Sequence, residues 1–240
     1  MSKRLIDLLL SGIGLLITSP VILPVMFLVW QDDRHSPFYI APRVGLGGVP
    51  FSMLKMRSMV IHADRQGSSS TSNTDRRITP IGHFIRRYKI DELIQLWNVL
   101  IGDMSLVGPR PQVRDAVKCY TARELDLLKV RPGITDFASI VFADEGLILS
   151  AHPDHDQAYE QLIRPGKSKL GLFYVQHRSL WLDLQLIFLT LLALVSRKFA
   201  LISLQSILTK LGADSALIEL AGRCKPLRPG LPPGSAELLC

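Results

Sequence analysis

The sequence predicts a helix-rich α/β protein that is attached to a membrane by its N-terminal segment. Three observations support this fold class: a long apolar run near the N-terminus, several later segments with helical spacing, and two short apolar runs separated by glycines. Of the 240 residues 48% are hydrophobic, and the net charge is +7. This composition excludes a disordered or fibrous chain, and it is typical of a protein that contacts lipid and anionic groups.

The apolar run extends from residue 8 to residue 31 without a charged side chain. It is long enough to cross a hydrocarbon core of ~30 Å. A cleaved signal peptide is the alternative, but no small-residue cleavage site ends the run. Pro20 and Pro24 lie inside it. Because each proline removes a helix hydrogen bond, we expect a kink near Ser19, whose hydroxyl, or that of Thr18, would bond the freed carbonyls.

The charges that flank the run leave two topologies open. Lys3 and Arg4 precede it, and Arg34 and Arg43 follow it. Since basic residues occur at both ends, the positive-inside rule does not select a side. The segment is therefore either a kinked helix that spans the bilayer or a helix that enters one leaflet, breaks and leaves on the same face.

The remaining elements follow from periodicity and from turn residues. We predict, in chain order, a β-hairpin over residues 38–60, a mobile polar loop over 66–74, helices over 81–87, 91–100 and 114–130, an apolar helix over 179–195, an amphipathic segment over 201–221 and a proline-rich, extended or disordered tail from residue 225. In the second of these helices, Leu93, Leu96, Trp97 and Leu100 share one face. Because the Asp183 carboxylate would be energetically costly in the middle of a bilayer, we expect the helix over 179–195 to be interfacial or buried in the core and not to span the membrane.

An acidic pair, Asp91 and Glu92, is the strongest candidate for chemistry. It opens a predicted helix, where the dipole stabilises negative charge, although helix capping alone also explains it. Arg86 lies upstream, and a rigid Gly-Pro-Arg-Pro turn over residues 108–111 lies downstream. Carboxylates between fixed arginines indicate phosphoryl transfer, usually with Mg²⁺; a surface salt-bridge network is the alternative. A second acidic pair, Asp144 and Glu145, lacks flanking arginines and ranks lower.

Six features occur in a fixed order between residues 3 and 135, and the pattern they belong to extends to about residue 197. They are Lys3-Arg4-x-x-Asp7, the apolar run broken at Ser19-Pro20, Lys55-Met56-Arg57-Ser58-Met59, Asp91-Glu92-Leu93-x-Gln95-Leu96-x-Asn98-Val99-Leu100, Gly102-Asp103-Met104-Ser105-Leu106-Val107-Gly108-Pro109-Arg110-Pro111 and Arg131-Pro132-Gly133-Ile134-Thr135. Together they resemble the bacterial sugar transferases known as monotopic phosphoglycosyl transferases. The block over residues 91–111 is the most specific part of this resemblance.

The resemblance implies a reaction and a location. The reaction is transfer of a sugar 1-phosphate from a UDP-sugar to polyprenyl (undecaprenyl) phosphate, with release of UMP and with Mg²⁺ as cofactor, as the initiating step of surface glycan assembly. The location is the cytoplasmic face of the bacterial inner membrane. The resemblance also implies that the N-terminal helix is re-entrant, which would make the protein monotopic and surrounded by membrane lipid.

The resemblance further implies roles for individual residues. Asp91 is expected to be the nucleophile that forms a covalent phosphosugar intermediate, and Glu92 is expected to help hold Mg²⁺. Ser19 and Pro20 are expected to form the break in the membrane helix. Seven residues are expected to bind phosphate or substrate: Lys55, Arg57, Arg86, Pro109, Arg110, Pro111 and Asp183.

The chain departs from the family pattern in places, which leaves the sugar open. Lys89 and Ile94 stand where serine and proline are usual, Gly171 stands where an aspartate is common, and residues 136–143 lack the usual arginine. We predict three parts: a re-entrant membrane helix over 1–35, a cytoplasmic catalytic domain with interfacial helices over 36–197, and an amphipathic segment with a proline-rich tail over 198–240.

A second hypothesis is a catalytically inactive protein of the same fold, tethered to the membrane as a nucleotide-sugar-binding or scaffold protein. A nucleic-acid-binding module is excluded by the membrane segment and by the lack of interleaved aromatic and basic residues. A homodimer is compatible with either hypothesis.

Overall fold

The computed structural model of the chain describes residues 2–63 and 75–236, so the mobile loop predicted over 66–74 lies outside the described residues. The strands form two two-stranded sheets: β1 (Phe38–Val44) with β2 (Pro50–Met56), and β3 (Ser105–Val107) with β4 (Gly133–Thr135). The α-helices are α1 (Ser2–Asp33), α2 (Pro80–Arg87), α3 (Ile90–Leu93), α4 (Gln95–Ile101), α5 (Arg114–Lys118), α6 (Phe137–Val141), α7 (Glu145–Ser150), α8 (His155–Ala158), α9 (Arg164–His177), α10 (Leu180–Val195), α11 (Arg197–Lys210) and α12 (Ser215–Gly222). Leu46–Gly48 and Glu124–Lys129 are 3₁₀ turns, and Tyr159–Ile163 is a π-helical turn.

Helix α1 is a single apolar helix of 32 residues that contains both prolines. At 1.5 Å per residue it is about 48 Å long, and within the described residues it is the one helix long and apolar enough to cross a membrane. Pro20 cannot donate to the carbonyl of Leu16, and the Ser19 hydroxyl donates to that carbonyl at 2.8 Å. The Ser19 hydroxyl thus bonds a carbonyl that Pro20 leaves free, as expected, whereas the break expected at Ser19 and Pro20 stays a prediction. The helical conformation continues through the Ser19–Pro20 step.

The first turns of α1 are fixed to the folded body by polar contacts. The buried Asp7 carboxylate accepts hydrogen bonds from the Leu106 backbone N–H at 3.0 Å and from the Ser105 hydroxyl at 3.1 Å. The Arg4 guanidinium donates to the backbone carbonyls of Val99 and Leu100, near the C-terminal end of α4. These contacts join α1 to β3 and to α4.

The last turns of α1 are fixed to the same body. Asp33 forms an ion pair with Arg57, which follows β2, and a second bond between their side chains measures 2.7 Å. Between the two ends, apolar side chains of α1 pack with α2, α3 and β2 in one cluster: Ile22, Val25, Val29, Met56, Ile85, Ile90 and Ile94. The rest of the helix exposes its apolar face, where Leu16 and Ile17 are 75% and 71% exposed.

The predicted β-hairpin is confirmed. β1 and β2 pair antiparallel from Phe38 opposite Met56 to Val44 opposite Pro50. The turn between them places Gly47 and Gly48 at φ of +66° and +81°, which only glycine adopts readily. On the other side, the Asn98 side chain bonds the Ser52 carbonyl and the Leu54 N–H, both at 2.8 Å, and so fixes the hairpin to α4.

The parallel pair of β3 and β4 was not predicted from the sequence. Each strand has three residues, and Ser105 lies opposite Gly133. Just after β3, Gly108 lies so close to the other strand that an added Cβ would come within 2.4 Å of the Arg131 carbonyl oxygen. Gly108 and Gly133 are therefore required where the segment after β3 passes close to the segment at the start of β4.

The main core lies between α6, α9, α10, α11 and α12. Its fully buried members include Phe137, Leu170, Leu186, Leu204 and Leu208. The predicted apolar helix over 179–195 is confirmed as α10, which begins after the Ser179 cap. Its outer face exposes a continuous apolar stripe: Trp181, Leu184, Phe188, Leu191 and Val195.

Three helix predictions need correction. The helix predicted over 114–130 ends at Lys118, because Thr121 and Glu124 form a reciprocal capping box that starts a separate 3₁₀ turn. The helix predicted over 91–100 divides at Ile94 into α3 and α4, and Trp97 on its predicted apolar face is 52% exposed. The buried residues of this segment do not follow the predicted face, and they pack on β2 and α1. The segment predicted over 201–221 divides into α11 and α12 at Gly212, whose φ is +77°.

Candidate active site

The acidic pair lies on α3, a single turn held between the hairpin and the membrane helix. Lys89, immediately before α3, adopts a left-handed conformation with φ of +57°, which turns the chain sharply after α2. Ile90 is buried against α1 and β2. Asp91 and Glu92 follow it and therefore lie next to the point where α1 joins the body.

Arg110 contacts this pair from the loop after β3. Its Nη2 lies 2.6 Å from Oε1 of Glu92, and both side chains are largely buried. The loop is fixed because the Gly133 N–H donates to the Pro109 carbonyl at 3.0 Å, and Pro109 and Pro111 are themselves buried. The rigid turn predicted from the sequence thus places its arginine on the predicted acidic pair.

Two carboxylates in one turn have opposite electrostatic environments. Burial raises the pKa of Asp91, and the negative charge of Glu92 raises it further. Burial alone would also raise the pKa of Glu92, but the charges of Arg110, Lys89 and Lys55 lower it to about 2. Glu92 is therefore ionised and paired, whereas Oδ1 of Asp91 is buried and accepts no hydrogen bond from the described residues. Two neighbouring carboxylates whose pKa values are shifted in opposite directions are suited to different chemical roles.

The hairpin contributes cations to the same site. Lys55 on β2 and Arg43 on β1 act electrostatically on the acidic pair or on Arg110. Burial, followed by the positive charge of Arg110, lowers the pKa of Lys55 to about 8. A cation that is partly desolvated and that forms no ion pair with the described residues is suited to bind a phosphate.

The two carboxylates of the acidic pair are the kind and number of protein ligands that Mg²⁺ usually takes. Within residues 2–63 and 75–236, no group of three or more His, Cys, Asp or Glu side chains is arranged to hold a metal by itself. Mg²⁺ commonly takes one or two protein carboxylates and completes its shell with substrate phosphates and water. The unpartnered Oδ1 of Asp91 is an oxygen ligand of the required kind beside Glu92.

The other predicted site residues fall into two groups. Arg86, at the end of α2, is half-buried and interacts electrostatically with Asp91, so it belongs to the site. Arg57 instead pairs with Asp33 at the end of the membrane helix. Asp183 lies on α10 and contacts neither Asp91 nor Arg110 in the described structure.

Asp183 forms a buried polar network at the base of the membrane helix. One of its oxygens lies 2.6 Å from Nζ of Lys3, and the other accepts a hydrogen bond of 2.6 Å from the Tyr174 hydroxyl. Lys3 and Tyr174 both donate to the carbonyl of Val107, the last residue of β3. Since Arg110 follows three residues later, we expect Asp183 to act through this strand as a positioning residue.

Asp183→Ala is expected to lower the free energy of unfolding by about 2–4 kcal/mol, because it removes the carboxylate that both the buried Tyr174 hydroxyl and Lys3 bind. Denaturant titration in detergent micelles measures this loss. Asp126→Ala removes a solvent-exposed ion pair with Lys129 and should cost less than about 1 kcal/mol. Equal losses in the two variants would contradict the positioning role.

Three residues near the site were ranked low or were not predicted from the sequence: Glu145, Lys167 and Tyr159. Glu145, at the start of α7, forms an ion pair of 2.5 Å with Lys167 on α9, and its charge also acts on Arg110. Nζ of Lys167 lies 5.2 Å from the centre of the Tyr159 ring. No local pattern joins Glu145 to Lys167, because the two residues are 22 positions apart in the sequence.

These residues define a membrane-adjacent site with desolvated carboxylates, a fixed arginine and free cations, as a phosphoryl-group transferase requires. Residues 1–197 match the model of the bacterial sugar transferase family. The chain belongs to this family, whose members are membrane-associated transferases.

Three relatives illustrate the similarity. The chain is 36% identical over 202 residues to an undecaprenyl-phosphate glucose phosphotransferase of Komagataeibacter xylinus, covering 80% of this chain and 35% of the relative. It is 33% identical to a UDP-N-acetylgalactosamine-undecaprenyl-phosphate N-acetylgalactosaminephosphotransferase of Aeromonas hydrophila, covering 79% and 42%. It is 32% identical to an exopolysaccharide production protein of Rhizobium meliloti, covering 80% and 84%. The first two are thus matched over less than half of their length.

Proposed function

We propose that this chain transfers a sugar 1-phosphate from a UDP-sugar to polyprenyl (undecaprenyl) phosphate and releases UMP. The observation that carries the proposal is the buried, unpartnered Oδ1 of Asp91 beside the ionised Glu92–Arg110 pair. Family membership and relatives named as undecaprenyl-phosphate sugar phosphotransferases support it. Mg²⁺, held by Asp91 and Glu92, would neutralise charge on the donor's diphosphate.

In the first step, Asp91 attacks the phosphorus that carries the sugar. A bond forms between a carboxylate oxygen and this phosphorus, and the bond from the same phosphorus to the bridging oxygen breaks. UMP leaves with the bridging oxygen. Arg110 and Lys55 are the cations suited to stabilise charge on the phosphate oxygens, because the first is fixed and the second is not neutralised.

In the second step, a phosphate oxygen of the polyprenyl acceptor attacks the phosphorus of the Asp91 adduct. The bond between that phosphorus and the aspartate oxygen breaks, which restores the carboxylate and yields a polyprenyl diphosphate sugar. The packing of Ile90 and Ile94 against α1 supports this step, since it sets the acidic pair next to the helix that enters the membrane.

The test is UMP release by the full chain in detergent with undecaprenyl phosphate and a panel of UDP-sugars. UDP-glucose and UDP-N-acetylgalactosamine come first, because they match the sugars named for two relatives. We expect turnover that stops when EDTA removes Mg²⁺ and returns when the ion is added. Absence of UMP release across the panel would contradict the proposal.

The inactive binding or scaffold protein is the second candidate. The observation that favours it is the altered segment after β4, where the buried Asp136 side chain caps α6 by accepting from the Ser139 N–H at 2.7 Å. In this case a UDP-sugar would raise the thermal stability of the chain without turnover.

Lys55→Arg is expected to extend donor binding to alkaline pH. Because burial and the charge of Arg110 lower the pKa of Lys55 to about 8, the wild-type chain loses this positive charge as the pH rises through about 8. Arginine remains protonated throughout this range. The KM for the UDP-sugar should therefore rise above about pH 8 in the wild type and stay level in the variant. Lys118→Arg, at an exposed position, is the control and should follow the wild type.

The re-entrant, monotopic topology on the cytoplasmic face of the inner membrane is also a proposal. It is supported by the attachment of both ends of α1 to one folded body, at Asp7 and at Asp33. Reporter fusions test it: green fluorescent protein should fluoresce, and alkaline phosphatase should be inactive, at either terminus of the full chain. A periplasmic signal at one terminus would instead indicate a spanning helix.

A further inference from the structure

A second basic site lies at the base of the membrane helix, apart from the acidic pair. It is a cavity of about 210 Å³ between α1, β3 and the end of α9. Its lining includes four cations and one carboxylate: Lys3, Arg4, Arg131, Arg178 and Asp7. None of the residues assigned above to the transfer reaction lines it.

The charges of this cavity are only partly satisfied by the protein. Asp7 bonds β3, and Lys3 pairs with Asp183. Arg131 uses its Nε to donate to the Gly102 carbonyl at 2.9 Å, and the exposed end of its guanidinium has no further partner among the described residues. The Arg178 side chain is also exposed, and no hydrogen bond or ion pair joins it to a residue in the described ranges. An excess of unpaired arginine is suited to an anion.

The size of the cavity limits how much of an anionic ligand it can enclose. Binding sites for drug-sized ligands measure about 300–1,000 Å³, so a cavity of about 210 Å³ is smaller than a site that encloses a whole nucleotide sugar. It is large enough for several waters, each of which takes about 30 Å³, and hence for one phosphate group with its ester substituents.

The surroundings of the cavity indicate that this phosphate belongs to a lipid. Next to the lining residues in sequence, Leu5 and Leu9 of α1 are 58% and 56% exposed. Helix α10 begins two residues after Arg178, and its exposed apolar stripe starts at Trp181, which is 70% exposed. Tryptophan and basic side chains at the edge of apolar surface are typical of the headgroup level of a bilayer.

We propose that this cavity binds the phosphate of an anionic phospholipid, whose acyl chains lie along the exposed faces of α1 and α10. Arg178 and Arg131 would grip the phosphate oxygens, and Arg4 would add its charge. Because β3 links the cavity to the loop of Arg110, the bound lipid would fix the base of the membrane helix on the catalytic body.

The experiment measures lipid retention by the full chain in neutral detergent, with native mass spectrometry. The probes are phosphatidylglycerol, phosphatidylcholine, inorganic phosphate and undecaprenyl phosphate. We expect one phosphatidylglycerol to be retained in preference to phosphatidylcholine. Since a charge-assisted hydrogen bond contributes about 1.5–3 kcal/mol, Arg178→Gln and Arg131→Gln should each weaken retention about tenfold or more.

Arg114→Gln is the matched control, because it removes one exposed arginine outside the cavity, and it should retain the lipid like the wild type. Arg178→Gln should keep the wild-type thermal stability in detergent, since the side chain has no partner to lose. Equal retention of the two phospholipids, or unchanged retention in both cavity variants, would overturn the proposal. Displacement by inorganic phosphate would assign the cavity to a free anion, and displacement by undecaprenyl phosphate would assign it to the acceptor; either result overturns the phospholipid site.

Discussion

Asp91→Asn is expected to lower the rate of UMP release by at least about 10⁴-fold, the order of loss seen when a covalent nucleophile is removed. Asparagine has nearly the same shape but cannot form the acyl phosphate. Because Oδ1 of Asp91 accepts no hydrogen bond from the described residues, the substitution should leave the fold and its thermal stability unchanged. The loss would then be one of function and not of folding.

The covalent intermediate can be observed directly. The wild-type chain mixed with the UDP-sugar alone should gain the mass of the sugar phosphate on the peptide that contains Asp91, and Asp91→Asn should gain nothing. Asp115→Asn, at a fully solvated ion pair, is the control and should keep both adduct and turnover. Sequential ternary-complex kinetics without an adduct would contradict the two-step mechanism.

Arg110→Gln is expected to lower kcat/KM by about 10²–10³-fold, as the removal of a single fixed donor to a developing negative charge does. The guanidinium binds Glu92 at 2.6 Å and lies on a rigid turn, so its position beside the acidic pair is fixed. Arg110→Lys keeps the charge but loses the planar fork, and it should recover only part of the rate.

A second substitution separates catalysis from stability at this ion pair. Arg110→Gln leaves Glu92 without its partner and should destabilise the fold by about 1–3 kcal/mol, whereas Glu92→Gln with Arg110→Gln removes both charges and should restore most of that loss. The double variant should remain inactive. Recovery of turnover together with stability would show that Arg110 is only structural.

Much of the site could be predicted from local patterns. Asp91 and Glu92 at a helix start, and Arg110 in a proline-bounded turn, are close in sequence and constrained by short-range geometry. The structure joins them by an ion pair, as the predicted phosphoryl-transfer site requires. Lys55 and Arg86 also reach this site, through the hairpin and the end of α2.

The residues that sequence reasoning misplaced or missed depend on long-range contacts. Asp183 was expected to bind substrate, but it bonds Lys3, which is 180 positions away. Glu145 ranked low because it has no basic neighbour in sequence, yet it pairs with Lys167 across two helices. The pairing of β3 with β4 also escaped prediction, since each strand has only three residues and no alternating pattern.

The sequence by itself determined the family, the membrane helix and the acidic pair with its arginine, because these depend on an apolar run and on motifs within about twenty residues. Only the tertiary structure decided that both ends of α1 attach to one body, that Glu92 is neutralised while Oδ1 of Asp91 has no partner among the described residues, and that four basic residues line a separate cavity. The physical reason is that burial and charge pairing depend on which distant segments meet, and the energy of a charge is set by that environment.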